Sequence, residues 1–231
     1  LFTRIDEIWL IARRKERMEE ISKGLQTRCR AIGLDMTEQG DMERFCAMLK
    51  KEAPVIRMLV NCAGFGLMGA VARIPLREQK EMIRLNCMAL TEMTHLCLPY
   101  VRRGSRLIQM ASSAAFLPQE NFAVYAATKA YVLSFSQALN QELKARGIKV
   151  TSVCPGPVDT AFFDIAERYG KTLAVKKLTI VPPARVVAKA IRDCRAGRAL
   201  SVCSLPIQAF HILCKLLPHE LIFHLMRLFG R

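Results

Sequence analysis

RLIQMASSAAFLPQENFAVYAATKAYVLSFSQALNQELKARGIKVTSVC, residues 106–154, reads as strand, helix, strand. Residues 106–112 form a short apolar run, residues 124–146 repeat apolar side chains at the helical period, and residues 149–154 form a second short apolar run. A helix joining two such runs is the crossover of a parallel sheet, whose strands are buried on both faces.

Outward from this unit the alternation continues. Ile8-Trp9-Leu10-Ile11-Ala12, residues 30–35 and residues 57–61 have strand length and composition. Between them, charges at Arg13 to Arg17 lead into a helix through Met18, Ile21 and Leu25. Thr37 or Asp41 could cap the next helix, and residues 76–100 carry helical periodicity. The pattern predicts an α/β chain, a doubly wound parallel sheet with helices on both faces. No linker, repeat or low-complexity stretch divides the 231 residues, so they read as a single domain over 1–231.

Composition narrows the function classes. Nine cysteines without CxxC or Cys/His metal spacing predict a reduced, cytoplasmic protein with no disulfide framework and no metal site. The formal charge of +15 raises the question of nucleic acid, but no nucleic-acid motif accompanies it. Basic loops attracted to an anionic cofactor or lipid surface are the expectation instead.

The chemistry lies in Tyr125 and Lys129, four residues apart and therefore on one face of a helix, with Ser112 at the end of the preceding strand. A tyrosine titrates near ~10, and general acid or base work at neutral pH asks for a fall costing about 4 kcal/mol. A unit charge about 4 Å away supplies on the order of 4 kcal/mol inside a protein. Lys129 is thus strong enough only in a sheltered cleft, where Ser112 would add a hydrogen bond to the reacting oxygen. A Tyr and a Lys at this spacing also occur on solvated helices, so the neighbouring motifs decide.

Those motifs are Asn61-Cys62-Ala63-Gly64 after Met58-Leu59-Val60, Asn86 in a helical stretch, and Pro155-Gly156-Pro157-Val158-Asp159-Thr160 after the strand at 149–154. Together with Ser112, Tyr125 and Lys129 they resemble the short-chain dehydrogenase/reductase family, from about Glu7 to Phe162. The resemblance implies a Rossmann-like fold and hydride transfer between NAD(P) and a carbonyl or alcohol. It implies Ser112, Tyr125 and Lys129 as catalytic residues, with Ser112 and Tyr125 touching substrate and Ser113 in reserve for Ser112. Asn86 would hold a water that links Lys129 to solvent, although an interior polar residue could also simply face solvent.

The same resemblance implies a cofactor site. Arg13, helped by Arg14, follows a strand that ends in Ala12 rather than an acid, which favours NADP over NAD. A solvated basic turn is the competing reading. Asp35 and Met36 would meet the adenine, with a turn or N-cap aspartate as the alternative. Asn61, Ala63 and Gly64 would line the cofactor, with Cys62 turned into the packing. Tyr125 and Lys129 would contact the nicotinamide end, and Pro155, Gly156, Val158 and Thr160 its carboxamide.

Members of the family open with a strand and a glycine-rich turn, and no glycine precedes Gly24 here. The first strand therefore reads as missing, which predicts a fragment of a longer protein and two unpaired strand edges in the sheet. From residue 205 to 231 the chain becomes apolar and basic, with Pro218 dividing two short helices. This amphipathic segment fits a lid or subunit contact, or peripheral contact with a membrane. Phe162, Phe163 and Leu173 predict an apolar substrate, and the Met-rich stretch 76–100 a homo-oligomer. The expected function is an NADP-dependent oxidoreductase; the alternative is a catalytically silent protein of the same fold.

Overall fold

The computed structural model describes residues 5–170 and 180–229, with side chains as far as 224. Six parallel strands alternate with helices. They are β1 (Glu7–Ala12), β2 (Arg28–Gly33), β3 (Ile56–Asn61), β4 (Val101–Met110), β5 (Lys149–Val153) and β6 (Leu200–Ser201). The helices are α1 (Lys15–Ser22), α2 (Gln39–Glu52), α3 (Leu76–Ile83), α4 (Leu90–Cys97) and α5 (Ala123–Glu142), followed by α6 (Phe162–Ala166), α7 (Pro183–Arg195), α8 (Leu205–Leu216) and α9 (His219–Phe229).

The alternation of strand residues between the two faces is visible in the packing. Leu107 and Val150 meet Leu139 of α5 and Leu143 just past its end, while Ile108, one residue on from Leu107, and Val153, three on from Val150, meet Val186 and Ala190 of α7. Helices therefore cover both faces, which is the doubly wound, Rossmann-like architecture the sequence predicts. A buried polar knot sits inside it. Asn61 Nδ2 donates to Thr94 Oγ1 (2.9 Å) and Gln109 Oε1 (3.0 Å), and Gln109 Nε2 donates to the same Thr94 oxygen (3.0 Å). Thr94 passes its own proton to the Leu90 carbonyl (2.7 Å), so β3, β4 and α4 are fastened with every partner satisfied.

The strands fall into two ladders, β1-β2 and β3-β4-β5-β6. No ladder joins β1 to β3. Val60, in the middle of β3, is 45% exposed, where an interior strand of a parallel sheet would be covered. Side chains span the interval. Met42, Phe45 and Leu49 of α2 and Met93 and Cys97 of α4 gather Trp9 and Ile11 from β1 and Ile56 and Leu59 from β3 into one cluster.

Local expectations change in several places. Neither Thr37 nor Asp41 caps α2, whose N-cap is Glu38. Asp41 Oδ2 instead accepts from the Asp35 N–H (2.7 Å), and Thr37 Oγ1 donates to Asp35 Oδ1 (2.7 Å), so both are spent on the turn after β2. The helix α1 stops at Ser22, short of Leu25. The helical stretch 76–100 is interrupted by a π-helical turn at Arg84–Ala89, and α7 with β6 adds a strand that hydropathy does not mark.

At the C-terminus the two helices separate at Pro218 as expected. Ile207, Phe210 and Cys214 of α8 pack on the core, and Leu205, Ile212, Leu213 and Leu216 point outward, Ile212 at 57% and Leu216 at 75% exposure. Among the described residues no helix is long and apolar enough to cross a membrane.

Candidate active site

Ser112 stands just past the end of β4 in extended backbone, and its Oγ accepts from the Ala114 N–H (3.1 Å). Tyr125 and Lys129 lie one turn apart in the first half of α5, both buried, at 7% and 4% exposure. The Ser112 hydroxyl is near enough to the Tyr125 phenol to pull its pKa down. The Ser113 N–H donates to the Pro155 carbonyl (2.8 Å).

Aromatic rings enclose the phenol. Phe122 stacks on Tyr125 with centroids 4.3 Å apart, and Phe162 tilts against it at 5.5 Å. Burial in this setting pushes Tyr125 up to about 12, a rise that Ser112 opposes and does not cancel. Burial pushes Lys129 down to about 8. The ammonium stands 5.7 Å from the phenol ring centroid and donates to the Met110 carbonyl at the end of β4 (2.8 Å). Sequence reasoning expects the phenol pKa to be brought down toward neutral pH; here burial raises it instead, and Nζ donates to a backbone carbonyl.

Asn86 lies in the π-helical turn, 1% exposed. Its Oδ1 accepts from the Phe65 N–H (3.1 Å), and its Nδ2 donates to the Phe65 carbonyl (2.9 Å) and to Thr128 Oγ1 (3.0 Å). The side chain therefore imitates a backbone strand for the loop after β3 and ties it to the residue next to Lys129. Single π-turns inside helices frequently accompany functional sites. Both amide protons are committed, which leaves one Oδ1 lone pair for a water.

Two glycines fix how closely that loop approaches. A Cβ on Gly64 would come within 2.8 Å of Asn86 Oδ1 and 3.3 Å of Lys129 Nζ. On Gly66 it would come within 2.6 Å of Tyr125 Cδ2 and 2.9 Å of Phe162 Cζ. Gly64 is among the residues expected in the site. Gly66, Thr128 and the Met110 carbonyl are not, and the only sequence signal for Gly66 is a second small residue two places after Gly64.

The expected cofactor residues lie at the carboxyl ends of the strands, where open α/β sheets bind ligands. Arg13 follows β1 and Asp35 follows β2; Arg13 Nη1 lies 3.9 Å from Asp35 Oδ2, with most of the guanidinium in solvent. Arg14 is exposed at the N-cap of α1, and Met36 is half-buried against the α2 cluster. Asn61 is held in the polar knot, and Ala63 is exposed at the mouth. Cys62 is exposed too, contrary to the expectation that it turns into the packing. Beyond β5, Gly156 lies under Ile207 of α8, its Cβ position 2.8 Å from Ile207 Cγ1. Val158 bridges Val181, and Thr160 Oγ1 accepts from the Phe162 N–H (3.3 Å) at the start of α6. Phe163 packs edge-on against Phe162, whereas Leu173 lies outside the described residues.

The donors present suit a dinucleotide phosphate: an exposed guanidinium at Arg13, a lysine with two N–H groups beyond its Met110 bond, and glycine backbone at Gly64 that a side chain would obstruct. Among the described residues no group of His, Cys, Asp and Glu could hold a metal ion, and His211 lies tilted against Phe116 with ring centroids 4.4 Å apart.

A family model described as short chain dehydrogenase matches residues 4–169. A serine 3-dehydrogenase of Rhizobium radiobacter is 33% identical over 163 residues, 68% of this chain and 66% of that protein. The chain thus spans about two thirds of the length of the curated relatives it matches. Among solved structures, a short-chain dehydrogenase from Sphingobium yanoikuyae in complex with NADPH superposes with a TM-score of 0.78 at 25% identity, covering 90% of this chain and 82% of that one. A short-chain dehydrogenase/reductase from Burkholderia phymatum in complex with NAD shares the fold, with a TM-score of 0.76 at 16% identity over 90% of this chain and 83% of that one.

Proposed function

The chain belongs to the short-chain dehydrogenase family, and we propose that it is an NADP-dependent oxidoreductase acting on a carbonyl or alcohol through Ser112, Tyr125 and Lys129. The observation that carries this reading is the burial of Tyr125 in an aromatic enclosure, with Ser112 acting on its phenol from the end of β4 and Lys129 buried one turn away. Burying a lysine is costly, and nothing in the packing of α5 requires one at this place.

When bound, the nicotinamide supplies or accepts the hydride. In the direction of reduction, Ser112 Oγ donates a hydrogen bond to the substrate oxygen and holds it beside the phenol. Tyr125 transfers its proton to that oxygen as charge develops there. Its raised pKa suits an acid that must arrive protonated. Lys129 lies close enough to stabilise the resulting phenolate, and Asn86 keeps the loop at Phe65 and Gly64 against the site. Arg13 holds the 2′-phosphate, since β1 ends in Ala12 with no carboxylate for a 2′-hydroxyl. Phe162 and Phe163 supply an apolar wall for the substrate.

Replacing Tyr125 with Phe keeps the ring packing and removes the proton donor. Turnover of carbonyl substrates should disappear while NADPH binding, read by fluorescence titration, stays within about threefold. Undiminished turnover by Tyr125→Phe would refute the assignment, and failure of the parent chain to bind NADPH would favour the silent alternative.

The outward face of α8 is part of the same reading. It presents Leu205, Ile212, Leu213 and Leu216 in solvent on a chain with a formal charge of +15. A second copy would bring two strongly positive bodies together, whereas an anionic lipid surface satisfies both the apolar stripe and the charge. Peripheral contact with such a surface is the proposed role of this face.

A further inference from the structure

A cavity of about 370 Å³ is lined by Met68, Gly69, Ala70, Arg73, Asn121 and Tyr169. Its walls are held by backbone. The Met68 N–H donates to the Ala166 carbonyl (2.7 Å), and the Gly69 N–H donates to the Asn121 carbonyl (2.7 Å). Gly69 has φ +149°, and a Cβ there would meet Tyr169 Cβ at 3.0 Å, so the close approach of the two walls depends on glycine. The Tyr169 hydroxyl donates to Glu78 Oε1 (2.7 Å), and Arg168 pairs with the other oxygen of Glu78 (3.1 Å).

Charge in this cavity is unbalanced. Its lining holds one cation, Arg73, and no carboxylate. The Arg73 side chain is exposed and makes no ion pair or side-chain hydrogen bond among the described residues. Glu78, on the neighbouring helix, is already used by Tyr169 and Arg168. Met68 and Tyr169 pack in the same apolar cluster as Tyr125, and Gly66, which touches the Tyr125 ring, is three residues from Gly69. Three residues span at most ~10 Å, so the cavity lining at Gly69 and the ring edge at Gly66 lie within about that distance.

We infer that the substrate is an oxo or hydroxy acid whose carboxylate is held by Arg73 in this cavity while its carbonyl or alcohol carbon lies at Tyr125. A guanidinium grips a carboxylate through two parallel N–H donors, an arrangement a neutral ester cannot reproduce. The inference rests on the oxidoreductase reading for its second half, and on Arg73 and the cavity alone for its first.

The test uses the series from 4-oxopentanoate to 8-oxononanoate and the corresponding methyl esters, with both calorimetric binding and NADPH-dependent turnover measured on the full chain. At least one acid should bind about tenfold or more tightly than its ester. Arg73→Ala should reduce the acid-to-ester ratio of kcat/KM at least tenfold, chiefly through KM for the acid, and Arg73→Lys should retain part of the preference. The side chain is exposed and bonded to nothing described, so its loss does not threaten folding. Equal binding of acid and ester by the parent chain, or an acid preference that survives Arg73→Ala, overturns the inference. An Arg73-dependent acid preference in calorimetry without turnover supports the anion site and counts against the oxidoreductase reading instead.

Discussion

Gly66 faces the ring of Tyr125 so closely that a methyl group on its Cα would stand 2.6 Å from Cδ2. The same methyl would stand 2.9 Å from Phe162 Cζ, and Phe162 of α6 packs against the Tyr125 ring with centroids 5.5 Å apart, so both rings would have to give way. Gly66→Ala should therefore displace the phenol from Ser112. Overpacking of this kind costs roughly 1–3 kcal/mol in stability, and a misplaced acid costs more in rate. The expected outcome is a fall in kcat of about tenfold or more with the fold retained, checked by steady-state kinetics beside thermal unfolding.

Lys129 makes stability depend on pH in a direction opposite to most buried acids. Its pKa is lowered to about 8 in the folded chain and returns to 10.5 on unfolding. Between these values the unfolded state binds more protons, so stability rises as pH rises, and the cost of holding the charged form is fully present below pH 8. Tyr125 acts the other way only between 10 and about 12. Relative to Lys129→Met, the parent chain should gain about 2 kcal/mol between pH 7 and pH 9.5. Parallel denaturant unfolding of the two proteins across this range would show it, and a constant difference would contradict the burial of the ammonium.

Arg13 has a single acidic neighbour, Asp35, at 3.9 Å, and most of its guanidinium is in solvent. Removing it leaves the fold intact and takes away the group assigned to the 2′-phosphate. Arg13→Ala should weaken NADPH binding roughly tenfold and change NADH binding little, since a charge-assisted bond is worth about 1.5–3 kcal/mol. Fluorescence titration with both dinucleotides measures the ratio. Equal loss for both would assign Arg13 to a general structural role.

The apolar stripe of α8 offers a prediction about surfaces. Vesicles containing phosphatidylserine should co-sediment the chain, neutral phosphatidylcholine vesicles should not, and raising salt should weaken the association. Ile212→Glu with Leu216→Glu should abolish it. These two side chains lie outside the core, so the double variant should keep its unfolding temperature.

Much of the architecture is legible in the sequence because short apolar runs alternate with helical periods, and the Ser112, Tyr125 and Lys129 pattern points to a candidate site only in the company of the motifs around it. What escapes the sequence depends on partners distant along the chain. The π-helical turn at Asn86 exists because its amide meets Phe65 across twenty-one residues, a relationship that no local period announces. Gly66 looks like any loop glycine until the Tyr125 ring is placed on it. The two-residue β6 has no hydropathic signature of its own and is defined by its ladder with Ser152 and Val153. The sign of the Tyr125 shift is likewise illegible, since it turns on how completely Phe122, Phe162 and the surrounding core bury the phenol.

The interruption between β1 and β3 has a mechanical consequence. Because β1 and β2 share ladder bonds only with each other, the segment from Glu7 to Gly33 can open without breaking any backbone ladder of the larger sheet. The apolar cluster around Phe45 and the Arg30–Glu52 ion pair (2.6 Å) resist it. Arg13 travels with the smaller piece, Asp35 stays with α2 through Asp41, and Tyr125 and Lys129 stay with the larger sheet. A dinucleotide that reached all four would act as a clasp across a seam, so that gripping the ligand and closing the protein become one equilibrium, and hydrogen exchange in β1 should slow as the ligand concentration rises.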